Sequence, residues 1–226
     1  MTDAETSRLW RAYREAEKEG VKETRTASLE RLVSWVEKRP EKEKTAWALD
    51  VARQVVDDRA EIPIRFPLFR RVLLPALIDG IFAKRPGCAR WLSGFQSLLI
   101  HSEKEAARLP EDLRNPVDLL REALRVDPAD ERARRLLIHH RADYLEYTLH
   151  ELPAGVLCGT DGSTTDECGD LLELLAEFKA EIAKAGRTEE FAELVQQCGY
   201  HYEAYRRYLR AGCPGGSYEA FLGSNP

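Results

Sequence analysis

The segment 68–82 constrains this chain more than any other. Leu68, Phe69, Val72, Leu73, Leu74, Leu77, Ile78, Ile81 and Phe82 leave almost no polar side around a helix. A helix that is apolar all round has to be surrounded by other elements. The wider run 64–83 is broken by Pro67, Arg70, Arg71, Pro75 and Asp79, so it reads as a buried core helix pair and not as a membrane span. Pro67 suits a first helical position. Pro75 must kink the helix or restart it.

The elements able to surround it are also helical. Leu29, Leu32, Val33 and Val36 recur at i, i+3, i+4 and i+7, and Pro40 stops that stripe. Residues 3–19 offer Leu9, Trp10, Tyr13 and Ala16. Residues 41–59 offer Ala48, Val51, Ala52 and Val55, with Trp47 expected at the edge. Residues 88–101 add Trp91, Leu92, Phe95, Leu98 and Leu99, and residues 102–114 read as a helix end and loop. Leu171, Leu174, Leu175, Phe178 and Ile182 make a strong stripe in 166–185, where Thr164 and Glu167 fit a capping box. Leu, Ala, Glu, Arg and Lys dominate, and strand-type runs of Val, Ile and Thr are missing. The expected fold is all-α: an irregular stack or bundle of about nine helices in antiparallel pairs. At 226 residues this reads as a single all-helical domain, 1–226, with a soft boundary near 102–114.

The longest unbroken helical pattern is 131–152. Leu137, Tyr144, Leu145, Thr148, Leu149 and Leu152 form its apolar stripe, while His139, Asp143, Glu146 and His150 line another side. Imidazole and carboxylate are usual zinc or iron ligands, so these four are the candidate metal set of a metal-assisted hydrolase. A second helix must then supply ligands, and His101 and His201 are the imidazoles left for that. HExxH is absent, and Glu146 to His150 is one residue too long for the Glu-x-x-His of di-iron bundles. The same spacing suits a solvated face with the pairs His139–Asp143 and Glu146–His150. Arg132, Arg134, Arg135 and Arg141 read as a mixed, solvated group able to grip an acidic partner.

Residues 188–211 carry Phe191, Leu194, Val195, Cys198, Tyr202, Tyr205 and Leu209 inward. Tyr200, His201, Arg206, Arg207 and Tyr208 sit between them, and aromatics interleaved with Arg have a binding hot-spot composition; the competing and favoured expectation is that the tyrosines finish the core while their hydroxyls reach water. Tyr218, Phe221 and Leu222 suit a short final helix that docks back. The loop residues Asp161, Ser163, Thr165 and Asp166 fail the EF-hand pattern, with Asp166 where Gly is needed. Cys158 with His150 lacks the context of a nucleophile and base.

Leu120, Ala123, Leu124 and Pro128 resemble the second half of a tetratricopeptide repeat over about a dozen residues. The first-half Trp, Leu-Gly and Tyr signature has no counterpart upstream. The resemblance implies a helix–turn–helix unit and a partner-binding role, since that family binds peptides on a concave surface.

The net charge of −5, with interleaved signs, disfavours nucleic acid. Five cysteines without a CxxC pair, and no apolar leader, suit a reducing cytoplasm. No GxGxxG, P-loop, GxSxG or zinc-protease motif occurs, and no cofactor is implied. The expected function is a non-enzymatic protein–protein interaction module, of accessory or immunity type. Its partner-binding residues are Arg135, His139, Asp143, Glu146, Tyr200, His201, Arg206, Arg207 and Tyr208.

Overall fold

The computed structural model describes residues 4–152, 164–213 and 217–224. Among these the regular structure is helical, with no strand. The chain groups into two compact units, residues 1–133 and 134–226. Cys158, Asp161 and Ser163 lie outside the described residues. Among the described residues no helix is long and apolar enough to cross a membrane.

In the first unit, α1 (Ala4–Glu19) and α2 (Lys22–Glu37) pack together across a turn at Gly20, whose φ of +75° ends α1. Tyr13 of α1 is fully buried and donates to the Pro63 carbonyl at 2.5 Å. The α2 stripe Leu29, Leu32, Val33 and Val36 is buried as its spacing requires. In α3 (Glu41–Val56), Trp47 is buried and not at the edge, because Trp10 meets it edge-on at 5.4 Å.

The central helix runs through α4 (Phe66–Leu68), a π turn at Phe69–Leu73, and α5 (Leu74–Phe82). Pro75 has no N–H for the carbonyl four residues back, and its ring crowds that carbonyl. The chain opens one turn, so that Leu74 N–H bonds Phe69 C=O, five residues earlier, and the helix carries on. Leu68, Phe69, Val72, Leu73, Leu74, Leu77, Ile78 and Ile81 are buried. Each such side chain contributes about 1.5–3 kcal/mol of transfer free energy. Phe82, at the end of the run, is 53% exposed.

Short helices complete the unit: α6 (Cys88–Ser93), α7 (Gln96–Ile100), α8 (Glu103–Ala106) and α9 (Pro116–Val126). These brief pieces and the split central helix take the labels to α13, beyond the nine periodic stretches the sequence shows. In α9, Leu120 and Ala123 are buried, and the helix packs on α6.

A buried ionic network fixes the end of α3. Asp57 meets Arg90 as an ion pair and accepts from the Trp91 indole at 2.8 Å. Arg90 Nε donates to Asp130 at 2.8 Å, and Asp130 accepts from the Ala133 N–H at the start of α10 (Glu131–Glu151).

The second unit is built from α10, α11 (Thr165–Lys184), α12 (Ala192–Arg210) and α13 (Tyr218–Ser224). Arg134 pairs with Glu181 and Arg141 with Glu177, so α10 and α11 run antiparallel. Thr164 and Glu167 close both halves of the capping box that starts α11. Ile138, Leu145, Leu171, Leu175, Phe178, Cys198 and Tyr202 form the shared core.

Candidate functional site

The buried side of α10 carries Leu137, Ile138, Arg141, Ala142, Leu145 and Thr148. That anchors the helix and sets which residues point outward. Arg135, His139, Asp143, Glu146 and His150 are all exposed. Neither His139–Asp143 nor Glu146–His150 closes to ion-pair distance, and none of the five makes a side-chain hydrogen bond or ion pair among the described residues. The inward-leaning arginines of the same helix do: Arg141 is 4% exposed and donates to Glu177 at 2.6 Å, and Arg134 reaches Glu181 at 3.3 Å. Arg132 lies 3.5 Å from Asp57. The four arginines grouped in the sequence therefore separate, and Arg135 alone stays unpaired.

Two groups feel the field of this face: Glu190, beside His139, and the Cys198 thiol, which burial and then Glu146 push up. Arg187, and after it His139, hold the Glu190 carboxyl below the usual carboxylate range. Tyr147 lies on the same side, four residues after Asp143 and three before His150, and is 40% exposed. The i, i+4 rule that found the polar row also reaches Tyr147, an aromatic the sequence reading passed over.

Among the described residues no group of three or more His, Cys, Asp or Glu side chains is placed to hold a metal ion. His139, Asp143, Glu146 and His150 are spread along one exposed face of a single helix. His101 ends α7 in the first unit. His201 has its Nδ1 3.1 Å from the Tyr218 hydroxyl, which donates to the His201 carbonyl at 3.2 Å. Both His201 groups face the same hydroxyl, which ties His201 to α13.

The aromatic and arginine group of α12 divides. Tyr200 is 50% exposed and Arg207 is exposed. Arg206 pairs with Glu203 at 2.9 Å within the helix. Tyr208 is buried, which removes it from the partner-binding set and matches the alternative in which the tyrosines finish the core, because α13 folds back over it. Tyr218 and Phe221 lie 5.8 and 5.5 Å from the Tyr208 ring, and Tyr218 stands edge-on to Tyr205 at 5.0 Å. Burial pushes the His201 imidazole down and the Tyr218 phenol up. His201 and Tyr208 thus hold the last helix in place.

No family model, curated protein or solved structure matches this chain.

Proposed function

We propose that the chain is a non-enzymatic protein–protein interaction module that binds its partner through the outer face of α10. One observation carries this reading. Five charged or ionisable side chains, Arg135, His139, Asp143, Glu146 and His150, stand exposed and unpaired on a helix whose Arg134 and Arg141 are paired with α11. Exposed pairs contribute little to folding, so this row is not required for the fold. Charges of both signs set register and partner choice when they meet complementary charges. Tyr147 supplies the aromatic contact that dominates binding energy at many interfaces. Tyr200 and Arg207 are the α12 residues that remain available for the same role. An accessory or immunity-type protein, which acts by occupying another protein, fits such a surface.

Affinity capture with the full chain from its source cells tests this. The partner should be retained by the native protein and lost with His139→Ala combined with Asp143→Ala. A partner kept after disruption of both the α10 row and Tyr200/Arg207 would reject this surface. Stoichiometric zinc, manganese or iron in untagged protein would point to the hydrolase reading instead.

A further inference from the structure

The first unit carries a groove of about 440 Å³ between α1 and α3 that the α10 reading does not use. Its floor is the Trp10–Trp47 pair, with ring centroids 5.4 Å apart and planes at 87°. One wall is α1, where Arg11, Arg14 and Lys18 recur at i, i+3 and i+7 and stack along the helix. All three are exposed, and none has a carboxylate within ion-pair distance among the described residues. Several other arginines of the unit are paired: Arg8 with Glu5, Arg65 with Glu17, Arg71 with Glu30 and Glu37. On the other wall, Asp50 of α3 is held by Arg53 at 3.0 Å and Gln54 at 2.7 Å. The groove thus carries three cations against the single carboxylate of Glu15 along α1, is close to neutral along α3, and is partly apolar at its base.

We propose that this groove binds an acidic peptide segment of a protein partner, with its carboxylates along Arg11, Arg14 and Lys18 and an apolar residue on Trp10. The charge asymmetry selects that occupant. A nucleic-acid strand is uniformly anionic and stacks its bases on open aromatic faces. Here Trp47 is only 7% exposed, its partner ring meets it edge-on, and Glu15 and Asp50 stand in the lining. A peptide can place acids on one edge only and leave the α3 edge neutral.

The test uses the full chain and a fluorescein-labelled amphipathic peptide of Glu and Leu. A helix of about 12 residues, roughly 18 Å long, spans the cationic row. Fluorescence anisotropy should show binding that weakens as salt rises, because exposed charges are screened. Arg14→Glu with Lys18→Glu should weaken binding at least about tenfold, while Lys179→Glu on α11 changes net charge without that effect. Trp10→Phe should reduce the change in intrinsic fluorescence on binding. Both charge-reversed positions are exposed, and unchanged circular dichroism confirms that the fold is kept. No binding at the lowest salt, equal loss in Lys179→Glu, or no loss in the double variant would overturn the proposal. So would an oligothymidylate of equal charge binding as tightly as the peptide.

Discussion

Tyr202 of α12 donates a buried hydrogen bond of 2.5 Å to Thr148 of α10. The direction follows from Thr148, whose single hydroxyl hydrogen is directed at the Leu145 carbonyl at 2.8 Å. Thr148 is therefore the acceptor and Tyr202 the donor. Tyr202→Phe removes a donor and should cost about 1 kcal/mol of unfolding free energy. Thr148→Val leaves the buried Tyr202 hydroxyl with only the Cys198 thiol, a weak acceptor, and should cost about 1–3 kcal/mol. Urea denaturation should rank Thr148→Val as the worse single change, with the double variant losing less than the sum of the two.

Glycine substitutions should separate backbone strain from crowding. Gly20 and Gly87 both have positive φ, +75° and +85°. A Cβ at Gly20 meets nothing within 4 Å, whereas one at Gly87 would sit 2.7 Å from the Trp91 ring. Gly20→Ala should cost about 1–2 kcal/mol, the left-handed penalty alone. Gly87→Ala adds the displacement of Trp91 and should cost about 3 kcal/mol or more. Thermal melts give the ranking, and a shift in tryptophan emission should appear only for Gly87→Ala.

How much of this was readable in advance depended on distance along the chain. The capping box of Thr164 and Glu167 and the stripe Leu29 to Val36 are local patterns, and both appear in the fold. Arg141 and Arg90 look like surface charges until the partners arrive from 36 and 40 residues away, Glu177 and Asp130. Tyr208 fell on the polar side of its helix by spacing, and only the return of α13 buries it. Pro75 signalled a disturbance, but a kink, a restart and a π turn are equally compatible with a missing N–H. In the candidate site, the α10 row was legible from its i, i+4 spacing. The cationic groove was not, because its walls come from helices that only the fold brings together.

Glu122 of α9 gives a pH prediction. It is buried, and Arg125, then Lys84, bond it and hold its carboxyl below the usual range. A depressed folded-state pKa contributes stability above the unfolded value, about 4.3, and loses it as pH falls through the folded value. Glu122→Gln should therefore be less stable than the native chain at neutral pH by about 1 kcal/mol, since both partners are largely solvent-exposed. The gap should close in acid. A gap that persists unchanged in acid would contradict the electrostatic account.

Thiol reactivity should follow burial. Cys88, Cys168 and Cys198 are buried, and burial pushes the first two up to about 11. Cys213 is exposed. Brief maleimide treatment of native protein at neutral pH, read by peptide mass spectrometry, should modify Cys213 and spare those three. Urea should open all three to the reagent.

Site-specific photo-crosslinking in the source cells tests the central claim most directly. A photoreactive residue is placed at His139 or Glu146 on the α10 row, and at Lys179 on α11 as the control. Adducts to the same partner protein from both α10 positions and none from Lys179 are the predicted result. No adduct from α10, or equal adducts from Lys179, would contradict it.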